Sequence, residues 1–556
     1  MVRFRWFVLP AALAVLPGGC GDNLRPVTCG APDHGWCGLV PGPGETGHDA
    51  DLALLAGRYE RGFHVFHTYS TGLNADVTVP LDDAAARAAV ERFLREGGGW
   101  DFGAAGGMTV EQAISGWQAS AGAYAGAGLA ADAFRYGVLR DTGADPDEID
   151  RARAHLGRAL DGLHVAVAIT GTPGVIARSI ARTDLPGDGP SMAASAVPLF
   201  DADGNPLPAE KNNGTARADN SGLYPEWVWN DSCSRDTLIG WAMGFAGAWE
   251  VIRADDTIAA DAKRRLQADA LAIGHQLTIV RASGFDLEIP DADGRTTFHG
   301  YLNENNLDRA YSPGIRNGFY AIMALGTVAA LAYVAEDQEL DRWLLEDLIR
   351  ARGLATIARD HMLLVDLGIG SNFSNYNMSF TGAWLALRYL HDEEARRDLR
   401  LALTDALYAV PGHTRQPLEQ AQSFFDFVYA AGQADGRAGR PLATLPDEAA
   451  LGRGAGTLRE FPVPPFWETR RVNCDDEEVA SGVCLAEDGT RLDLLGYLGR
   501  GDTLVAVQPV PMRIRPPSNF YWRSNPYEPN GGGDTGRLLP AVDFRVAYWL
   551  GRWVRR

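Results

Sequence analysis

The chain has 556 residues, 46% of them hydrophobic and 22% charged. That is the balance of a globular protein with a large core and room for one to three domains. Its formal net charge is −20, which argues against nucleic acid as a partner, because phosphate binding draws on Lys and Arg.

Arg3 and Arg5 precede an apolar run at 6–16, followed by Pro17, Gly18, Gly19 and Cys20. A basic start, a short apolar run and small residues predict a signal peptide, too short to span a bilayer. Small residues running into Cys20 resemble a bacterial lipobox, although Pro17 stands where Leu is usual. The expectation is an exported protein with a lipid on Cys20, touching the membrane through that anchor only. Residues 21–48, rich in Gly, Pro and Asp, read as a tether. Cys29 and Cys37 bracket one short loop, and Cys474 and Cys484 another. Both pairs predict local disulfides in an oxidising compartment, leaving Cys233 as a buried free thiol.

The core begins with a helix at 52–69, where Leu55, Tyr59, Phe63 and Phe66 follow helical spacing. Glu60, His64 and His67 share another face, a spacing that could hold a metal. Such groups more often pack and hydrogen-bond, so no metal and no cofactor is assigned. Two kinds of helix then alternate. Segments 112–138, 236–252, 317–336, 376–390 and 419–433 are apolar or small on all sides. Segments 82–96, 147–170, 260–282, 341–359 and 394–410 carry a charged face. A helix apolar all round is buried, so the alternation implies two concentric layers. With 52–69 and a last helix near 542–553 there are about twelve helices. The predicted fold class is mainly α, an (α/α)6 toroid over 49–435 closed by the C-terminal helix at 542–556, with a loop-rich cap at 436–541.

Connections from buried to amphipathic helices are short (253–259, 337–340, 391–393). The return connections are long or polar (171–235, 283–316, 360–375, 411–418, 434–541). Long loops in compact domains are usually functional, and these would emerge on one rim. A hairpin is expected at 287–299 around the D-x-D-G turn at 291–294, and a similar one at 199–208. The later acidic ligands of an EF-hand are missing, so these are read as turns and not calcium loops.

The rim segments are dense in polar groups. Asn230, Asp231, Arg235 and Asp236 open the most Trp-rich apolar helix, with Ser234 as N-cap and Asp236 suited to the helix dipole. His299, Tyr301, Asn303, Glu304, Asn305 and Arg316 precede the next buried helix. Asn372, Asn375 and Asn377 open the one after, Arg415 another, and Trp522, Arg523 and Asp534 stand before the last. Amides and carboxylates around one mouth suit sugar hydroxyls, and aromatic faces suit sugar rings. Some of these residues also cap helices and shape loops.

The alternating hairpins resemble the six-hairpin toroids of glycoside hydrolases and polysaccharide lyases. The segments 231–236 and 293–300 resemble those of uncharacterised exported bacterial proteins of that shape. This resemblance covers about residues 50–435, is architectural, and implies glycan chemistry by analogy. A hydrolase would pair carboxylates from Asp231, Asp236 and Glu304, with Asp534 in reserve. A lyase would use His299 or Tyr301 as base, with Asn303 and Arg316 neutralising a uronate. The candidate catalytic residues are therefore Asp231, Asp236, Glu304 and His299, with the other rim residues binding substrate. The expected partner is a poly- or oligosaccharide. The third reading is a non-catalytic surface lipoprotein that binds a glycan or a partner. No G-x-S-x-G elbow, Walker A or H-E-x-x-H motif occurs, which leaves esterase, nucleotide and zincin readings unsupported.

Overall fold

The computed structural model describes residues 37–96, 99–187, 216–307, 309–312, 314–362, 372–412, 415–498, 503–533 and 535–556. The expectations for Cys20, Cys29, the 199–208 turn and Asp534 lie outside them. The described residues hold seventeen α-helices. In order they are α1 Ala50–Gly62, α2 Ala84–Glu96, α3 Phe102–Gly106, α4 Val110–Ala113, α5 Gly122–Thr142 and α6 Pro146–Ala168. Next come α7 Arg235–Ile252, α8 Ala260–Thr278, α9 Gly318–Ala335, α10 Gln338–Arg342, α11 Leu354–Asp360 and α12 Phe373–Tyr389. The last are α13 Glu393–Leu401, α14 Ser423–Gln433, α15 Glu448–Arg459, α16 Asp476–Ser481 and α17 Val542–Trp553. The sheets among them are small and separate, and none closes into a barrel.

Helices α5, α7, α9, α12, α14 and α17 are buried along nearly their whole length. Their contacts form a closed cycle: α5 on α7, α7 on α9, α9 on α12, α12 on α14, α14 on α17, and α17 on α5. A second set lies against these. Helix α6 packs on α5, α8 and α11 on α9, α13 on α12, α15 on α14, and α1 on α17. Glycine lets the buried helices touch backbone to backbone. A Cβ on Gly126 of α5 would lie 1.9 Å from the Gly240 carbonyl oxygen of α7. One on Gly326 of α9 would lie 2.4 Å from the Gly382 carbonyl of α12.

Three expected helices differ. The segment expected at 112–138 leaves α4 at Ala113 and is helical again only from Gly122, because Ser120 and Ala121 pair with Ile180 and Ser179 in a four-stranded sheet. This long-range pairing overrides local propensity. The helix expected at 341–359 runs as α10 and a π-helical stretch Trp343–Ala351, then breaks at Gly353, whose φ of 69° is left-handed. The 419–433 helix starts late, after a 3-10 turn Pro417–Glu419 and a left-handed Ala421. Within 436–541, α15 packs among the helices. The rest of that segment includes a three-stranded sheet of Val483–Leu485, Arg491–Leu498 and Thr503–Ala506, stapled by Cys474–Cys484. Cys37 is also disulfide-bonded.

Side-chain links show that the buried helices run parallel. At one end Arg523 joins Tyr124 in the first turn of α5 to Ser374 in the first turn of α12. At the other, Glu250 near the end of α7 accepts from Arg388 and Tyr389 of α12 and Trp553 of α17. The first end, the mouth, gathers the first turns of α5 and α12 and, through Arg235 over Tyr320, those of α7 and α9.

Candidate functional site

Asp236 sits in the first turn of α7 and accepts a short hydrogen bond from the Ser234 hydroxyl. Arg178 Nη1 donates to that hydroxyl at 2.7 Å. Ser234 is therefore the N-cap residue without a side-chain cap, because its oxygen is engaged by Arg178 and Asp236. Burial pushes the Asp236 carboxyl up, but Arg178, Ser234, Arg523 and Arg235 outweigh it and hold it below the ordinary range. Arg235 lies over the Tyr320 ring at the start of α9, 5.1 Å from its centroid. Arg523 donates through Nε to Ser374 Oγ at 3.1 Å and through Nη1 to the Tyr124 hydroxyl.

Burial raises the Tyr124 phenol, Arg523 opposes that, and the negative charges of Asp76 and Asp236 add to it. Both carboxylates therefore act on the same phenol. Asp76 accepts from Asn519 and Arg537, yet its burial dominates and its carboxyl is pushed above the ordinary range. Tyr124 and Arg523 thus lie within the charge of two carboxyls shifted in opposite directions, Asp76 upward by burial and Asp236 downward by the guanidiniums and Ser234. Asp76, Tyr124, Arg178 and Ser374 escaped the sequence reading, since none sits in a polar cluster. The one usable signal was that Tyr124 and Ser374 open buried helices.

The other candidates are placed elsewhere. Asp231 is buried and locked by Arg217 Nε at 2.7 Å, by its neighbour's Ser232 N–H at 2.7 Å and by Ala292 N–H at 3.2 Å. With Asp291 and Asp293 it forms a carboxylate trio that Arg217 and Arg295 neutralise. It pins the turn in which Ser232 is left-handed at φ 67°. Asn230 donates to Ser179 within the four-stranded sheet. Cys233 is buried and free, and burial pushes its thiol far up, the opposite of an activated nucleophile.

Glu304 is buried in an ion pair with Arg352 and also accepts from Asn305. Asn303, Glu304, Asn305 and Arg316 line a separate cavity of about 760 Å³, walled by Tyr311 stacked on Phe285 with centroids 3.8 Å apart and by Asp347 and Ala351. Tyr124, Asp236, Ser374 and Arg523 take no part in it. His299 and Tyr301 lie half-buried on the strand Thr296–Tyr301, which Thr297 fastens by donating to the Cys233 carbonyl at 2.7 Å. Burial, with Glu288 nearby, pushes the Tyr301 phenol up.

Asn372 caps α12 by accepting from Ser374 N–H at 3.1 Å, while Asn375 and Asn377 are buried. Arg415 lies over Tyr527. Trp522 is packed between Phe424 and Phe520, so it is core and not a sugar platform, whereas Arg523 beside it is exposed. The mouth therefore gathers Arg235, Asp236, Asn372 and Arg523 from the predicted set, and the second cavity takes four others.

The Glu60, His64, His67 face holds a guanidinium. Arg545 donates to both Glu60 oxygens at 2.8 Å and to Asp132 at 2.6 Å, and His64 Nε2 lies 3.2 Å from both acids. His67 turns away and donates from Nδ1 to the Ala75 carbonyl at 2.8 Å. No family model matches the chain, and a search of curated proteins finds no match.

Proposed function

We propose that the helices form an (α/α)6 toroid and that its mouth is the active site of a glycan-cleaving enzyme, a glycoside hydrolase using Asp236 and Asp76. The closed cycle of six buried helices, with a second set outside, supports the ring. The observation that carries the chemistry is the opposite shift of two carboxyls around the Tyr124–Arg523 pair. Asp236, held ionised, would serve as base or nucleophile. Asp76, held toward its neutral form, would protonate the leaving oxygen. A second reading, a lyase, rests on Arg523 itself: its guanidinium suits a uronate carboxylate, and its charge opposes the burial that raises the Tyr124 phenol, the candidate base. The basic start, apolar run and Cys20 support export, with the lipid anchor as the link to the membrane.

The test is cleavage of neutral and acidic polysaccharides by the wild type and by Asp236→Asn, Asp76→Asn and Tyr124→Phe, with a thermal melt on each. Loss of a catalytic carboxyl should cost on the order of a hundred- to ten-thousand-fold in turnover. New reducing ends without ultraviolet absorbance mean hydrolysis, and an absorbing unsaturated product means elimination. A wild type that neither cleaves nor binds any glycan leaves a structural lipoprotein. Mass spectrometry of the mature N-terminus tests export, and an unprocessed Met1 refutes it.

A further inference from the structure

Ser234 stands at the N-cap of α7, yet its side chain caps no backbone N–H. Asn317 and Asn372, at the same place on α9 and α12, do accept from the first turns of their helices. A Ser in this position ordinarily stabilises its helix through the side-chain oxygen. Here that use is forgone, and the hydroxyl is engaged elsewhere.

A hydroxyl has one hydrogen and two lone pairs, and all three are engaged. The hydrogen goes to Asp236 Oδ1, since an ionised carboxylate only accepts. One lone pair takes Arg178 Nη1 at 2.7 Å. The other takes the Thr237 hydroxyl at 3.0 Å, which must then be the donor. Arg178 is fixed in turn. Its backbone N–H donates to the Asn230 carbonyl, and its carbonyl accepts from the N–H of Gly122, the first residue of α5. Among the described residues Arg178 forms no ion pair, and its further side-chain bond is a long one of 3.5 Å to the Ser232 carbonyl.

The order guanidinium, hydroxyl, carboxylate matters. Arg352 on Glu304 and Arg217 on Asp231 grip the acid directly and occupy its oxygens. With Ser234 interposed, Arg178 supplies charge while Asp236 Oδ1 takes one bond and Oδ2 takes none among the described residues. The cation also polarises the Ser234 O–H and strengthens it as a donor. The other titratable or charged groups acting on Asp236 or acted on by it are Arg235 on its own helix, Arg523, Tyr124 on α5 and the Cys233 thiol. Among the described residues none of these bonds the carboxylate, so Ser234 alone sets its orientation.

We infer that Ser234, backed by Arg178, is the positioning residue that keeps Asp236 ionised and fixes the direction of its free oxygen. The inference rests on Asp236 being the base or nucleophile of the proposed reaction.

The test uses Ser234→Ala and Arg178→Gln, with Ser234→Thr as the conservative variant and a thermal melt on each. Arg178→Gln keeps the test intact if Ser234→Ala does not fold. On a glycan the wild type cleaves, Ser234→Ala should lose about ten- to a hundredfold in kcat with KM little changed. The acid limb of the pH–rate profile should rise by about one unit in both variants, and Ser234→Thr should restore it. A second readout needs no turnover. The unfolding free energy of each protein is compared with that of the same protein carrying Asp236→Asn, between about pH 7 and about pH 3. A carboxyl held below its ordinary range stabilises the fold above that range and loses this contribution as pH falls. The difference should therefore vary with pH in the wild type and vary less in Ser234→Ala. Equal variation in both, or an unmoved acid limb, would overturn the inference. If the wild type cleaves no glycan while the variation still shrinks, the glycan-cleaving reading falls and the hold of Ser234 on Asp236 stands.

Discussion

Replacing His67 with Asn removes a buried imidazole but keeps an amide N–H where Nδ1 donates to the Ala75 carbonyl. Burial pushes the His67 pKa from 6.5 down to about 3. The Ala75 bond opposes the shift and the Arg545 charge adds to it. The unfolded chain takes up a proton near the ordinary value, while the folded chain resists until about 3. The neutral ring therefore contributes stability that is full above pH 6.5 and is lost as pH falls toward 3. Each unit of separation is worth about 1.4 kcal/mol, so the wild type should lose about 2 kcal/mol at pH 5 and approach about 5 kcal/mol near pH 3 from this group alone. The Asn variant loses ring packing, roughly 1–3 kcal/mol at any pH, but has no proton to gain. Denaturant unfolding of both proteins at about pH 7.5 and about pH 5 should show the gap between them narrowing by about 2 kcal/mol. Other titrating groups act in both proteins and cancel. A gap of the same size at both pH values would refute the reasoning.

Gly126→Ala should lower stability by roughly 3 kcal/mol, because the added methyl would overlap the Gly240 carbonyl where two backbones touch; an unchanged melting temperature would count against the described packing. Glu304→Gln should cost about 2 kcal/mol by weakening the bonds to Arg352, which keeps Asp286 and Asp347 as partners, while the folded fraction still turns over. Abolished turnover at full stability would make Glu304 catalytic. Cys233 should resist a thiol reagent in the native protein and react once denatured, and rapid native labelling would contradict its burial.

Helices α7, α9 and α12 were legible because burial on all sides leaves a composition with no polar face. Trp241, Met243 and Phe245 carry that record in α7, and the structure buries all three. The start of α5 was not legible, because the residues before Gly122 are drawn into pairing with Ile180 and Ser179 some sixty positions away. The site was legible only as a rim. Order along the chain places the 299–316 loop before α9, but not on which side of that helix it lies. Thr297 decides this by bonding the Cys233 carbonyl, and Arg352 then draws Glu304 into the second cavity. Asp76 left no trace. It precedes a two-residue strand at 77–78, and its partner Asn519 lies more than four hundred residues away.

The number of donors on each buried carboxylate separates pins from chemistry. Glu250 collects five hydrogen bonds from four residues. Asp231 is held by a guanidinium and two backbone N–H groups, and Glu304 by Arg352 and an amide. Three to five such bonds fill most of a carboxylate's roughly four lone-pair sites and compensate its charge. Asp76, with one bond from Arg537 and one from Asn519 among the described residues, keeps about two sites open. Asp236 differs. Among the described residues its hydrogen-bond donor is the Ser234 hydroxyl, while Arg178, Arg235 and Arg523 act on it through their charge. It is therefore held ionised by one hydrogen bond and the field of three guanidiniums, and it lies in the first turn of α7. A carboxylate in that state keeps acceptor capacity for a substrate hydroxyl or water, which is why Asp236→Asn should remove turnover while changing stability less than Glu304→Gln does.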